Sequence, residues 1–222
     1  MAALVWDESG KKYYETGVSK TVLYPYNSTE NKYDGGVAWN GITGITESPS
    51  GAEANKIYAD NILYATLRSA EEFGFTITAY TYPDEWAECD GSTSPVEGVF
   101  FGQQARKTFG LCYRTEVGND LTENAGYILH LVYGATASPS ERQYQTKNDS
   151  PEAIEFSWEC ETVPVEVTGY KPIAHIQIDS RTADKTKLEA LENKLYGSGS
   201  SGSSTTPEMP LPAEVITMMT AS

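Results

Sequence analysis

The sequence predicts a mainly β protein carrying one long helix, on three observations. Runs rich in Val, Ile, Thr and Tyr recur along most of the chain and are broken by Gly, Pro and Asn. One run alternates with period two, with Phe73, Phe75, Ile77 and Ala79 on one face and Thr76, Thr78 and Tyr80 on the other. Only one long helix is visible, over Thr182–Tyr196, where Leu188, Leu191 and Leu195 recur at helical spacing.

Taken in order, Val18–Tyr24 is a first strand, ended by Pro25 and the polar run Asn27–Asn31. Val37–Thr46 resumes the strand character, with Gly41 and Gly44 marking bulges or close backbone approach. Ser48–Gly51 (SPSG) reads as a turn. Ile57–Tyr58 and Ile62–Leu67 flank Ala59-Asp60-Asn61, a hairpin tip or a kink. After the alternating strand, Pro83, Asp84 and Glu85 suit the start of a short helix and Gly91 its end. Further strands are expected at Thr108–Thr115, Tyr127–Tyr133, Ala153–Val167 (interrupted by Pro164) and Ile173–Ile178. A loop holding Gly118-Asn119-Asp120 and Asn124-Ala125-Gly126 separates the first two of these. Thr182 or Asp184 caps the long helix and Gly197 stops it. The organisation expected is therefore a β-domain over 1–196, a Gly/Ser-rich linker over 197–206 and a C-terminal tail over 207–222. The apolar residues of that tail, Leu211, Val215, Ile216 and Met218, are expected to dock on a neighbouring subunit in strand-like form. A frayed end is the alternative.

At 222 residues the chain can build one substantial core. Tyr and Trp (15 and 4) outnumber the 6 Phe, which suits half-buried strands or interfaces, because both residues join an apolar face to a polar tip. The net charge of −15 weighs against a nucleic-acid-gripping module, which needs clustered Lys and Arg. The acids are crowded: residues 34–97 hold eleven of them against Lys56 and Arg68, a net −9. Cys89, Cys112 and Cys160 are odd in number and widely spaced, so they read as reduced, buried thiols. The start MAALVWDESGKKYY lacks a basic, then apolar signal pattern, and no run approaches the roughly 18 apolar residues of a membrane span. A cytosolic protein, or one released by lysis, is expected.

Chemistry is sparse. His130 (YILHLVY) and His175 (PIAHIQI) each lie in an apolar strand-like run, where a lone His is more often structural than catalytic. No nucleophile elbow, zinc-protease helix, phosphate loop or dinucleotide fingerprint is present. Cys112 and His130 could meet across strands, but nothing local marks either as activated. Glu71-Glu72 and Asp84-Glu85 are carboxylate pairs in sequence only, which does not make them face one another across a cleft. The expectation is a non-enzyme with no cofactor, in which none of the three cysteines and two histidines binds metal.

Four stretches carry a resemblance: VWDESGKKYYETGVSKTVLYPY, WNGITGITESPSGAEANKIYADNILY, SAEEFGFTITAYTYPDEWAECDG and LVYGATASPSERQYQTKNDSPEAIEFSWE. This wording resembles the major tail protein (tail tube protein) of long-tailed bacteriophages, of the type common in phages and prophages of Gram-positive bacteria, from about Trp6 to Tyr196. The resemblance implies a tail-tube fold, two packed antiparallel sheets in a β-sandwich or barrel-like arrangement with a flanking α-helix. It implies hexameric rings stacked into a tube, assembled in the host cytoplasm and resident in the virion tail. Tail terminator, tape measure and tail initiation proteins are the implied partners, and DNA crosses the lumen without specific binding. Glu47, Glu53, Asp60, Glu71 and Glu72 are then the expected lumen-facing acids. A long early hairpin touching adjacent subunits, known in that family, is expected around Thr46–Ala59. Two alternatives stand beside this reading: the inner-tube protein of a contractile injection device or bacteriocin, and a carbohydrate-binding or hydrolysing β-sandwich.

Overall fold

The computed structural model describes residues 4–33, 35–147, 149, 153–200 and 203–220. It is mainly β, with 44% strand and 12% helix. In chain order the elements are β1 (Tyr14–Asn27), β2 (Lys32–Tyr33), β3 (Val37–Ala38), β4 (Ile42–Glu47), β5 (Ser50–Gly51), β6 (Ala54–Ala59), β7 (Ile62–Arg68), β8 (Glu71–Glu72) and β9 (Gly74–Ala79). There follow α1 (Trp86–Cys89), β10 (Thr93–Val96), β11 (Val99–Phe101), β12 (Phe109–Gly118), β13 (Gly126–Ala137), β14 (Phe156–Thr162) and β15 (His175–Asp179). The chain closes with α2 (Lys185–Tyr196), β16 (Gly199–Ser200), β17 (Ser203–Ser204) and α3 (Pro212–Thr220).

The main sheet is antiparallel and runs β2-β1-β12-β13-β14-β9-β4, with β15 paired to β13 and β3 to β1. Strand β13 changes partner midway: Ile128–Val132 pair with β15, and Ala135–Ala137 pair with β14. Gly134 sits at the switch with φ +62, and a Cβ there would stand 2.2 Å from the Val163 carbonyl oxygen, so the crossing needs glycine. Beyond this point the sheet curls over itself. Leu23, Leu111, Tyr113 and Val132 from one half share a buried cluster with Phe75, Ile77, Ala79, Trp158 and Cys160 from the other. Trp39, Trp86 and Trp158 fill its centre, with ring centroids 4.6 to 5.6 Å apart. The geometry is that of a sandwich.

The opposite face of β1-β12-β13 is buried as well. Val22, Tyr24, Cys112, Leu129, Leu131 and Tyr133 pack there beneath Leu188, Leu191 and Leu195 of α2. The expected cap and stop of this helix are both present. The Asp184 carboxylate accepts from the amides of Thr186 and Lys187, and Gly197 takes φ +76.

The C-terminal segment corrects one expectation, that of a strand-like tail. Within 197–206, β16 pairs with β17, and the Ser198 amide donates to the Thr205 hydroxyl. Ser201 and Gly202 lie outside the described residues. Residues 207–220 then fold back on their own chain as an extended strap followed by α3, not as a strand for a neighbour. The Gly36 amide donates to the Pro207 carbonyl, the Met209 amide to Tyr33, and the Tyr133 hydroxyl to the Pro210 carbonyl. Met209 and Val215 are buried, and Leu211 and Met218 pack against the same cluster, whereas Ile216 is 39% exposed. The physical reason is the spacing 211, 215, 218, 219, which forms one helical face and finds its apolar acceptor on the sheet of the same molecule.

Between β4 and β9 the chain leaves the body as a single hairpin arm. Glu47 pairs with Phe75, Ser50 with Glu72, Gly51 with Glu71, and β6 with β7 out to Ala59 and Ile62. Ser48–Gly51 is therefore part of the ladder and not a turn, bent where Gly51 and Ala52 both take positive φ. The tip is Asp60-Asn61, with φ 51 and 63, as a two-residue hairpin turn with matched twist requires. The hairpin expected at Thr46–Ala59 thus has its tip at residues 60–61 and its returning limb over 62–72. From Ser50 to the tip it extends about 30 Å at roughly 3.3 Å per residue. Its side chains are exposed on both faces, among them Tyr58 (65%), Ile62 (65%) and Tyr64 (74%).

Candidate functional site at the root of the arm

Where the arm leaves the body, three strands bring a carboxylate and two imidazoles together. Glu47 is the last residue of β4, His130 lies in the middle of β13, and His175 opens β15. Antiparallel pairing sets His175 opposite Val132, one same-face step along β13 from His130. His130 Nδ1 is 3.2 Å from His175 Nε2, Glu47 Oε1 is 3.4 Å from His130 Nδ1, and 3.9 Å separate Glu47 Oε1 from His175 Nε2. Aromatic rings hold both imidazoles in place. Tyr113 stacks on His130 at 4.5 Å with planes 7° apart, and Phe73 stacks on His175 at 4.5 Å.

The contacts of Thr115 assign the tautomer of His130. Thr115 Oγ1 donates to Glu15 Oε2 at 3.2 Å, so toward His130 Nε2, 3.1 Å away, it can only accept. His130 therefore carries its proton on Nε2 and turns a lone pair on Nδ1 toward Glu47 and His175. The Tyr113 hydroxyl donates to Glu47 Oε1 at 2.7 Å. Burial is the main cause holding both histidines below their ordinary range, His175 at about 4, against the opposing pull of the Glu47 charge. Burial first, and the Glu47 contact second, push the Tyr113 phenol well up. At neutral pH both imidazoles and the phenol of the cluster are therefore uncharged. It opens to solvent on the Glu47 side, that side chain being 33% exposed against 4% for His130.

A second polar cluster lies on the helix-covered face and is fully engaged. The Arg114 guanidinium pairs with Glu192, donates to the Tyr196 hydroxyl at 3.2 Å and lies 4.1 Å from the Tyr127 ring centroid. The Tyr127 hydroxyl donates to Glu192 at 2.5 Å. Cys112 touches Tyr196 on this same face, whereas His130 belongs to the opposite one, so the two form no dyad. All three cysteines are free and buried. Burial pushes Cys89 and Cys112 up to about 12, and raises Cys160 further.

The five acids expected in a lumen are neighbours along the arm. Glu53, Asp60, Glu71 and Glu72 are exposed on it and Glu47 stands at its root. Glu71 and Glu72 are consecutive in a strand, so their side chains point to opposite faces and cannot act as a facing carboxylate pair. Sequence reading treated the two histidines separately and missed their convergence with Glu47. The cue available was that both lie in strand-like runs flanked by apolar residues. Comparison with known protein families and with curated proteins finds no match to this chain.

Proposed function

We propose that the chain is a tube-forming structural subunit, the major tail tube protein of a long-tailed phage, whose six-membered rings stack into a hollow conduit for DNA. The observation that carries this reading is the arm. A two-stranded hairpin is marginally stable alone in water, and this one exposes Ile57, Tyr58, Ile62, Leu63, Tyr64 and Leu67. Such a patch calls for a partner surface. A further copy of the chain fits best, because the main sheet ends at β4, an edge from which the arm itself springs. Edge pairing around a closed ring would remove that exposed edge.

The bore is assigned to the outer face of β14-β9-β4, which carries Thr76, Thr78, Ser157, Glu159 and Glu161. These three strands contain no Lys or Arg. A hydroxyl- and carboxylate-bearing wall repels phosphate and lets DNA slide. Glu47, Glu71 and Glu72 adjoin this wall at the root of the arm, while Glu53 and Asp60 project toward the neighbouring copy.

Electron microscopy of the concentrated full chain, with and without tail initiation proteins, tests the reading. Rings or tubes are expected. A variant in which residues 52–70 are replaced by a two-residue turn should melt like the parent and fail to assemble, since no arm residue enters either buried cluster. Strictly dispersed monomers of the full chain, or unimpaired assembly without the arm, would overturn it.

A further inference from the structure

From the placement of Glu47, His130 and His175 we infer a binding site for one divalent first-row transition ion, with Zn2+ as its natural probe, clasping the root of the arm to the body. The argument begins with distances. The circle through three atoms 3.2, 3.4 and 3.9 Å apart has a radius of about 2 Å. Zn–N and Zn–O bonds are about 2.0–2.2 Å. A single ion just off the plane of Glu47 Oε1, His130 Nδ1 and His175 Nε2 thus reaches all three without movement of the backbone.

The local chemistry points the same way. Glu47 Oε1 and His130 Nδ1 face each other at 3.4 Å, with His175 Nε2 within 3.9 Å of both. A cation at their centre would be bonded by all three atoms beside a mostly buried ring. The outer partners that metal ligands need are already present. His130 is oriented through its other nitrogen by Thr115, and that hydroxyl by Glu15. Tyr113 holds the Glu47 carboxylate oxygen. These are the contacts that fix ligand tautomer and orientation around protein-bound metals.

His175 is the ligand that must adjust. With His130 assigned its proton on Nε2, the His175 Nε2–H is the donor to His130 Nδ1 in the metal-free state. On binding, its proton moves to Nδ1 by way of solvent, freeing the Nε2 lone pair without changing the charge of the ring. Two imidazoles and one carboxylate suit Zn2+, Ni2+ or Cu2+ better than Mg2+ or Ca2+, which prefer all-oxygen shells. Water fills the remaining position on the partly exposed Glu47 side. With one ligand each from β4, β13 and β15, the ion would fix the arm's departure angle relative to both halves of the sandwich.

The test is titration of the untagged, metal-stripped full chain with Co2+ followed by visible absorption, and with Zn2+ by calorimetry and thermal melting. One saturable site per chain is expected, with d–d bands, no thiolate charge-transfer band and a melting temperature that rises with Zn2+. Glu47→Gln and His175→Ala should each weaken binding at least tenfold while far-ultraviolet circular dichroism stays native. Thr115→Ala, which removes an orienting partner but no ligand, should weaken it by about ten- to a hundredfold. Absence of a saturable site in the parent chain overturns the inference. So does wild-type affinity in either ligand variant.

Discussion

Docking of the C-terminal strap on its own sheet can be tested at Met209 and Gly110. Met209 is 1% exposed and is placed by its amide, which donates to the Tyr33 carbonyl at 3.0 Å. Its thioether end lies over Gly110 of β12. A Cβ built on Gly110 would stand 2.1 Å from Met209 Cε and 3.0 Å from the Tyr33 ring. Met209→Ala empties this site and should cost about 2–5 kcal/mol, as buried Met-to-Ala changes do. Gly110→Ala overfills it and should cost about 1–3 kcal/mol, because an enclosed Met must leave its rotamer. The two effects share one space, so the double variant should be less destabilised than the sum by about 1 kcal/mol or more. Urea denaturation at two protein concentrations measures all four corners of the cycle. Additive costs would show that Met209 does not sit over Gly110. A Met209→Ala cost that grows with protein concentration would show that the strap is received by a neighbour.

Two further outcomes are expected. Cys89, Cys112 and Cys160 are buried with thiols raised by burial, so none should react with a thiol reagent at pH 8 in the native chain, and all three should react after unfolding. Fast reaction of any one in the native state would contradict its placement. Arg114→Met should destabilise by about 3 kcal/mol, since it leaves Glu192 half-buried without its cation. A chemical melt of Arg114→Met against Arg114→Met/Glu192→Gln decides this, the second change being expected to restore part of the loss.

Elements whose cause is local were legible in the sequence. The alternation at Phe73–Tyr80 became β9, with Phe75, Ile77 and Ala79 buried in one cluster. Asp184 and Gly197 bracketed α2, and Asp60-Asn61 proved to be a hairpin tip. Elements whose cause lies elsewhere in the chain were misread or missed. The tail from Leu211 onward looks strand-like while its acceptor, formed by Tyr33, Tyr133 and Leu188, is unknown. The hairpin of β10 and β11 has no counterpart among the strands expected from the sequence; it contains Pro95, which is tolerated in a pair that stands apart from the main sheet. Ser48–Gly51 carries every turn residue, yet its direction is set by the ladder on either side and it continues the arm.

The site at the arm's root shows why a lone histidine in an apolar run is a weak signal in either direction. Its neighbours in sequence say only that it will be buried; its chemistry depends on which residue the register sets beside it. His130 faces Tyr113 across β12 and meets His175 one step along β15, and both pairings follow from strand order, which no local window contains. Glu47 joins them only because β4 ends where the arm begins. The Glu47 carboxylate, expected among the lumen acids, also touches Tyr113 and lies within 4 Å of both imidazoles. Its charge is thus committed to the joint between arm and body. It follows that Glu47→Gln should act on the arm's fixed direction, measurable by the spread of distances between spin labels at the tip and on the body. Asp60→Asn, equally a loss of one negative charge but at the tip, should leave that spread unchanged. Equal effects of the two substitutions would mean that only net charge matters, and would remove the structural role assigned here to Glu47.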